Sequence, residues 1–205
     1  MDLICLDLEG VLVPEIWIEF SKHTGIEELR LTTRDIPDYD VLMSKRLSTL
    51  RENGLTLSAI QEVIFQLDPL PGAKSFLDRI RMDYQLVILS DTFYEFASPL
   101  MKKLGWPTLM CHRLNLSRDG LIEGYQLRQQ DPKRKAVKAL KSLNYKVMAA
   151  GDSYNDTTML AEADAGFLFR APDTVIAEFS QYQVTSDYAE LRTLFDMASN
   201  EFKRR

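Results

Sequence analysis

Residues 3–12 read LICLDLEGVL, an apolar run that ends in two carboxylates separated by one residue. The run has the length and composition of a buried strand. Asp7 and Glu9 stand where that strand would end, and carboxylates are rarely buried unless they are paired or bind a metal. In open α/β sheets, binding sites lie beyond the carboxyl ends of the strands. The stretch therefore predicts a buried first strand that leads into a polar site, with a plain turn at these carboxylates as the alternative.

The composition is that of a soluble globular protein. The chain has 205 residues, of which 45% are hydrophobic and 27% are charged, and its formal net charge of −5 gives no reason to expect nucleic-acid binding. Cys5 and Cys111 form no CxxC pair, which favours reduced, buried thiols. There is no recognisable signal peptide, and no apolar run approaches the roughly 20 residues of a membrane helix. We expect a cytoplasmic protein without a nucleic-acid or membrane partner.

Short apolar runs alternate with amphipathic segments along the chain, which is typical of a parallel sheet with helical crossovers. Strands are predicted at residues 3–8, 85–90, 146–150 and 166–169, with a weaker one at residues 183–185. Two further strand-like runs lie between residues 109 and 127 and flank Asp119 and Gly120, a pair that favours a hairpin turn. The predicted fold class is α/β, with a Rossmann-like parallel-sheet core.

Residues 14–70 have a helical pattern without a convincing strand. Pro14 can open a first helix and Gly25 can close it. A second helix is predicted over residues 38–53, and Thr56 is a suitable N-cap for a third. We interpret this stretch as a small α-helical cap inserted after strand 1. The predicted division is a core of residues 1–13 and 71–205 and a cap of residues 14–70.

Four polar segments are predicted to meet at one edge of the sheet. They are Asp7-x-Glu9, Ser90-Asp91-Thr92, Asp131-Pro132-Lys133 and the run from Gly151-Asp152 to Asp156. Three of these segments follow predicted strands. The remaining one, Asp131-Pro132-Lys133, opens a helix that can present the amine of Lys133 to the same crevice. The Ser90 hydroxyl and nearby N–H groups suit phosphate oxygens, and Lys133 can neutralise developing negative charge. The ordered set predicts phosphoryl transfer.

The carboxylates of these segments can supply a nucleophile, a proton donor and a metal site. Asp7 can attack phosphorus and form an aspartyl phosphate. Asp7 and Asp152 carry the hard oxygen ligands that Mg²⁺ prefers. Glu9 can protonate the leaving oxygen and then activate a second acceptor as a base. Two roles stay open for Asp156, which can ligate the metal or orient a ligand or Lys133.

The ordered motifs resemble those of the haloacid dehalogenase superfamily, in its phosphoserine phosphatase branch. The chain is most similar to the bifunctional phosphoserine phosphatase/homoserine kinases, also called phosphoserine:homoserine phosphotransferases. The strings that carry this resemblance are DLEGVLVPEIW from Asp7, TRDIPDYD from Thr33, LSDTFYEF from Leu89 and GDSYNDTTML from Gly151. The resemblance covers nearly the whole chain.

The resemblance implies a role for each matching residue. Asp7 would be the nucleophile and Glu9 the acid and base, and Mg²⁺ would be held by Asp7, the backbone carbonyl of Glu9, and Asp152. The residues at the phosphate end would be Ser90, Asp91 and Lys133, with Asn155 near the substrate. The implied substrate is L-phosphoserine, and the acceptor is water or L-homoserine, which would place the enzyme in serine and threonine biosynthesis.

In the cap, the resemblance implies that Glu15 pairs with the substrate amino group and Arg46 with its carboxylate. Arg46 falls within an apolar helical stripe formed by Tyr39, Leu42, Met43, Leu47 and Leu50. An arginine in such a stripe can instead extend to solvent, and Glu15 can instead favour the helix dipole. An anion and a cation together nevertheless match a zwitterionic amino acid.

Three residues depart from the pattern of most relatives. Glu9 stands where most have Asp, Val11 where a hydroxyl residue is common, and Asp91 where Gly often follows the serine of the second motif. The longer Glu9 side chain moves its carboxyl group by about one bond, which affects how well water competes as the acceptor. The departures weaken the case for ordinary hydrolysis and match the phosphotransferase group.

Four alternatives remain at this point. The enzyme could act on another small phosphate ester, such as a sugar phosphate. Turnover of a substrate without a carboxylate would not be affected by Arg46→Ala. A non-catalytic Mg²⁺-binding regulatory protein would not need the full set of site residues. A phosphorelay receiver would not need Glu9 or the cap, and a dehalogenase would not need Mg²⁺. The ratio of hydrolysis to transfer and the oligomeric state do not follow from the sequence.

The histidines and tryptophans are predicted to be structural. His23 and His112 lack the spacing of metal ligands, and His112 beside Cys111 is interpreted as a strand residue. Trp17 and Trp106 are interpreted as packing residues.

Overall fold

A computed structural model of the chain describes residues 1–32, 35–36 and 38–204. Thr33, Arg34 and Pro37 are not among the described residues, so the sequence string that begins at Thr33 is described only in part. The sheet has the strand order β4-β3-β2-β1-β5-β6-β7. Its strands are β1 (Asp2–Leu6), β2 (Gln85–Phe93), β3 (Thr108–Leu116), β4 (Ile122–Gln126), β5 (Lys146–Gly151), β6 (Ala165–Phe169) and β7 (Gln183–Thr185).

Neighbouring strands are parallel, except for the antiparallel hairpin of β3 and β4. The helices are α1 (Ile16–Thr24), α2 (Tyr39–Glu52), α3 (Leu57–Gln66), α4 (Ala73–Asp83), α5 (Tyr94–Lys103), α6 (Pro132–Ser142), α7 (Thr157–Glu162), α8 (Asp173–Glu178) and α9 (Tyr188–Arg204), with 3₁₀ turns at Glu27–Arg30 and Tyr154–Asp156. Within the described part of the chain, we find no helix long and apolar enough to cross a membrane. The predicted α/β class with a parallel, Rossmann-like sheet is confirmed.

The first strand is shorter than predicted. It ends at Leu6, whereas the sequence pattern continues to residue 8. The Asp7 N–H still donates to the Ala150 carbonyl of β5 at 3.0 Å, but the chain then turns, with Leu12 N–H donating to Leu8 O at 2.8 Å. Leu8 is buried in this turn. An apolar side chain that packs below a loop therefore extended the strand-like pattern beyond the strand.

The sheet separates two apolar clusters. Successive side chains of a strand point to opposite faces, and in β1 Ile4 and Leu6 join one cluster while Leu3 and Cys5 join the other. Cys5 and Cys111 are both free and buried, as predicted. With both faces covered, β1 lies in the middle of the core, and only its carboxyl end is available for chemistry.

The helices between β1 and α4 lie over this same end of the sheet. Phe20, Met43 and Ile60 belong to the same buried cluster as Ile4 of β1. Trp17 makes an edge contact with Phe96 of α5, with ring centroids 5.4 Å apart. The helical segment is thus packed on the sheet through apolar side chains.

Two of the three predicted helix starts in this segment are correct, and one is shifted. Asp38 and Thr56 are N-caps whose side chains accept hydrogen bonds from backbone N–H groups of α2 and α3. The prediction that Pro14 opens α1 is wrong, because α1 begins at Ile16. The Glu9 carboxylate accepts the Ile16 N–H at 2.8 Å and thereby fixes the start of the helix two residues later.

Candidate active site

The carboxyl ends of β1, β2 and β5 are neighbours in the sheet, and each one carries a polar side chain predicted for the site. Asp7, Ser90 and Asp152 are all buried, with 4%, 3% and 6% of their surface exposed. They line one cavity of about 370 Å³. The same cavity is also lined by Glu9, Glu15, Arg46, Asp91, Lys133 and Asn155. The structure therefore brings every sequence-predicted site residue to one place.

Lys133 is placed at the start of α6, where Pro132 occupies the first turn as predicted. Its ammonium nitrogen lies 2.8 Å from Asp7, 2.7 Å from Asp156 and 3.6 Å from Asp91. Burial alone would lower the pKa of Lys133, but the attraction of Asp156, Asp7 and Asp91 raises it well above its usual value. Lys133 is therefore a fixed positive charge beside Asp7.

Both oxygens of Asp156 have partners within the protein. One accepts a hydrogen bond from Lys133, and the other accepts the backbone N–H groups of Asp152 and Ser153 at 3.0 and 3.1 Å. Asp156 is fully buried. Of the two roles left open by the sequence, this arrangement favours the orientation of Lys133 and of the Asp152 loop.

Asp7, Asp152 and Asp156 form a buried cluster whose carboxylate oxygens lie within 4.8 Å of one another. Burial, followed by repulsion from Asp156, raises the pKa of Asp7 well above its usual value even though Lys133 opposes this shift. The cluster therefore holds more negative charge than Lys133 balances. Hard oxygen donors with an excess of negative charge are the environment that Mg²⁺ requires, so the residues fit this ion.

Gly10 leaves the space in which the Asp152 carboxylate lies. Its backbone has a φ of +78°, and a Cβ built there would lie 2.5 Å from Asp152 Oδ2. Glycine adopts this left-handed conformation without strain, and it also permits the close approach of the two loops. The carboxylate of Asp152 thus depends on a residue from the first motif for its position.

We expect Gly10→Ala to lower the free energy of unfolding more than Gly25→Ala does. Gly25 is a matched control because its φ is +72° and a Cβ there would meet nothing within 4 Å. Both variants should lose roughly 1–2 kcal/mol through left-handed strain, and Gly10→Ala a further ~1–3 kcal/mol through overlap. Urea unfolding of both variants measures the difference, and equal losses would contradict a steric role for Gly10.

Glu9 contacts both the start of helix α1 and strand β2. Its carboxylate accepts the first N–H of α1, as described above, and also interacts with the Thr92 hydroxyl of β2. Burial, followed by repulsion from Glu15, raises the pKa of Glu9 to about 7. A carboxyl group with this pKa can both give and take a proton near neutral pH, as general acid–base catalysis requires.

Arg46 of α2 is buried, with 7% of its surface exposed. It donates to the Leu31 carbonyl at 2.7 Å, and its guanidinium carbon lies 4.5 Å from the centre of the Trp17 ring. Its Nε has no hydrogen-bond partner in the described part of the chain. Burial lowers the pKa of Arg46 to about 10 although Glu9 opposes this shift. Arg46 thus contributes a buried positive charge to the wall of the cavity.

The last residues of β2, from Ser90 onward, are held by neighbouring backbone and side-chain groups. Ser90 Oγ accepts the Thr92 N–H at 3.2 Å, and Asn155 donates to the Asp91 carboxylate at 2.8 Å. Burial would raise the pKa of Asp91, but the charge of Lys133, the nearby His112 imidazole and the hydrogen bond from Asn155 hold it well below its usual range. Asp91 is therefore an ionised part of the site.

The residues that line the cavity but were not predicted as site residues include Trp17, Tyr39 and Arg170. Trp17 packs as predicted, but it also supports the Arg46 guanidinium. Tyr39 donates to the Asp91 carbonyl at 3.3 Å and thus reaches from α2 to the end of β2. Arg170, at the end of β6, lines the cavity with a left-handed backbone. Only Arg170 had a sequence signal, since it directly follows a predicted strand.

Comparisons with known proteins agree with this geometry. The family model described as haloacid dehalogenase-like hydrolase matches residues 1–164. A phosphoserine phosphatase of Pseudomonas syringae pv. tomato is 62% identical over 200 residues, which are 98% of this chain and 84% of the relative. The phosphoserine phosphatase ThrH of Pseudomonas aeruginosa is 60% identical over 98% of both chains.

Solved structures of more distant proteins share the fold. An apo phosphoserine phosphatase superposes with a TM-score of 0.77 at 20% identity, covering 94% of this chain and 98% of that one. A phospho-aspartyl intermediate analogue of phosphoserine phosphatase gives a TM-score of 0.75 at the same identity and coverage. At this identity the likeness concerns the fold, and it agrees with the strand order described above.

Proposed function

This chain belongs to the haloacid dehalogenase-like hydrolases, and on that premise we propose that it removes the phosphoryl group of L-phosphoserine and passes it to water or to L-homoserine. The relatives at 60–62% identity are phosphoserine phosphatases, which supports the choice of donor. The division proposed for this reaction is a core of residues 1–13 and 71–205 and a cap of residues 14–70.

The observation that carries the proposal is the buried cation of Arg46, whose Nε has no partner among the described residues, in the wall of the cavity that Asp7 also lines. A substrate carboxylate would pair with the guanidinium group and replace its lost hydration. Glu15, which lines the same cavity, would receive the ammonium group. A phosphorylated amino acid supplies both groups together with the phosphate, whereas a sugar phosphate supplies neither charge.

In the first step, a carboxylate oxygen of Asp7 attacks phosphorus, the bond between phosphorus and the serine oxygen breaks, and Glu9 gives its proton to that oxygen. The raised pKa of Glu9 keeps a share of it protonated at neutral pH. Lys133, 2.8 Å from Asp7, stabilises the negative charge that develops on the phosphoryl oxygens. The products of this step are serine and an aspartyl phosphate on Asp7.

In the second step, ionised Glu9 takes a proton from the acceptor hydroxyl. The acceptor oxygen attacks phosphorus, and the bond between phosphorus and Asp7 breaks, which restores the free carboxylate. Water gives phosphate, and homoserine gives phosphohomoserine. Homoserine carries the same ammonium and carboxylate groups as serine, so Glu15 and Arg46 would hold it in the place that serine leaves.

The proposal includes Mg²⁺ as the cofactor. Asp7 and Asp152 would hold it through their carboxylates, and Glu9 through its backbone carbonyl. When bound, the ion supplies positive charge for the phosphoryl oxygens. Ser90 would contact the phosphate through its hydroxyl group. Asp91 and Asn155, which are hydrogen-bonded to each other, would fix the end of β2 that carries Ser90.

The test is a product assay with L-phosphoserine, with phosphoethanolamine, which lacks only the carboxylate, and with sugar phosphates. We expect wild-type protein with Mg²⁺, but not with EDTA, to release phosphate from L-phosphoserine, and to form phosphohomoserine when L-homoserine is added. Turnover with phosphate as the only product would remove the transferase part. Turnover of sugar phosphates alone would remove the amino-acid assignment.

We expect Arg46→Ala to raise the KM for L-phosphoserine about 30- to 5000-fold, because a buried charge pair is worth roughly 2–5 kcal/mol. Its effect on phosphoethanolamine should be small, so the preference for the carboxylated substrate should disappear. Lys45→Ala removes an exposed cation from the same helix and is the matched control. Equal losses with both substrates in Arg46→Ala would contradict carboxylate recognition.

A further inference from the structure

The strand β2 contains an irregularity at the point where it enters the site. Leu89 pairs with Met110 of β3, and the next pair is Phe93 with His112. Four residues of β2 thus correspond to two of β3, which leaves an excess of two residues between Leu89 and Phe93. Bulges of this kind bend a strand and redirect its side chains, and they are common beside active sites.

His112 lies opposite this bulge and is almost fully buried, with 2% of its surface exposed. Its Nδ1 accepts the backbone N–H of Arg128 at 3.1 Å. A nitrogen that accepts a hydrogen bond carries no proton, so in the neutral imidazole the proton is on Nε2. That nitrogen lies 3.6 Å from Asp91 Oδ1. The imidazole therefore presents a donor to the carboxylate that the bulge carries.

Asp91 has competing partners on its other side. Oδ2 accepts from Asn155 at 2.8 Å and lies 3.6 Å from the ammonium nitrogen of Lys133. Lys133 is already 2.8 Å from Asp7 and 2.7 Å from Asp156. A shift of Asp91 by less than 1 Å would bring it into direct contact with Lys133 and into competition with Asp7 for the same charge.

We propose that His112 is a positioning residue, which acts through Asp91 to keep the charge of Lys133 directed at Asp7. The imidazole and Asn155 hold the Asp91 carboxylate from two sides at its present distance from Lys133. Without the imidazole, Asp91 turns toward Lys133 and weakens the stabilisation of negative charge on the transferred group. This inference rests on the proposed function for the role of Lys133, but not for the geometry of the His112–Asp91 pair.

The geometry is tested without turnover. Long-range ¹H–¹⁵N NMR on the metal-free protein reports which imidazole nitrogen carries the proton. We expect the Nε2-protonated form for His112 in the wild type and a changed Nε2 resonance in Asp91→Ala. An Nδ1-protonated His112, or resonances that Asp91→Ala leaves unchanged, would overturn the inference even if the protein is an active phosphatase.

The role is tested by kinetics on whichever phosphate ester the wild type hydrolyses. We expect His112→Ala to lower kcat by about 10- to 100-fold, the usual cost of removing a group that orients a ligand residue, with little change in KM. His112→Gln retains an N–H donor and should recover part of kcat. His23→Ala, which removes the other histidine of the chain from an exposed position, is the matched control.

Two further measurements separate positioning from a general loss of structure. In the Asp91→Ala background, His112→Ala should lower kcat by less than about 3-fold, since the residue it acts through is absent. His112 also lines a second cavity of about 950 Å³, so added imidazole can reach the space left by His112→Ala and should raise its kcat. Additive losses in the double variant, or a fall in unfolding temperature with unchanged kcat, would overturn the proposal.

Discussion

Asp7→Asn is expected to lower turnover of L-phosphoserine by at least about 10⁴-fold, because an amide cannot take the place of the attacking carboxylate. The fold should survive this change. Burial and the neighbouring acids raise the pKa of Asp7 above its unfolded value, so the ionised carboxylate destabilises the metal-free protein at neutral pH. The neutral amide removes this contribution, and the free energy of unfolding should stay equal or rise.

The two readouts for Asp7→Asn are phosphate release and urea unfolding in EDTA. Asp2→Asn is a useful control, because it alters an aspartate of β1 that lies at the opposite end of the strand. Turnover within about 10-fold of the wild type in Asp7→Asn would contradict the assignment of the nucleophile. An unfolded Asp7→Asn protein would contradict the prediction that its free energy of unfolding stays equal or rises.

Lys133→Met is expected to have the largest effect on stability. It leaves the buried carboxylates of Asp7 and Asp156 without the cation that lies within 2.8 Å of both. Removing one partner of a buried ion pair costs roughly 3–5 kcal/mol. Turnover should also fall by at least about 10²-fold, because the developing charge on the phosphoryl group loses its fixed partner.

The stability and catalytic effects of Lys133 can be separated. Lys133→Met combined with Asp156→Asn removes one of the two unpaired charges, so stability should recover while turnover stays low. Lys135→Met removes an exposed lysine of the same helix and is the matched control for loss of a charge. Stability in Lys133→Met equal to that of Lys135→Met would contradict the buried arrangement, and turnover restored in the double variant would contradict a catalytic role for Lys133.

Most of the fold could be predicted because its strands are short apolar runs with clear ends. The parallel order of β1, β2, β5 and β6 follows from the helices between them, and Asp119 with Gly120 marks the only hairpin in the described sheet. The errors have local causes. Leu8 packs below a loop and so resembles strand, and the start of α1 at Ile16 is set by Glu9, seven residues earlier in the chain, and not by Pro14.

The site could be predicted as far as residues follow strands or match motifs. The geometry beyond that is tertiary. His112 gave no signal, because its partner Asp91 is 21 positions away and meets it only through the bulge in β2. The burial of Arg46 Nε without a partner among the described residues and the position of Asp152 beside Gly10 likewise depend on how distant loops pack. Sequence patterns identify the chemical groups, whereas the packing of the loops determines their charge and partners.

The most direct test is to look for phosphate on Asp7 itself. Wild-type protein is mixed with phosphorus-labelled L-phosphoserine and Mg²⁺, quenched in acid within one turnover, and digested for peptide mapping. We expect the label on the peptide that contains Asp7, and we expect a chase with L-homoserine before the quench to move it into phosphohomoserine. Turnover that proceeds with no label on Asp7, or with label on another residue, would contradict an aspartyl-phosphate mechanism at this site.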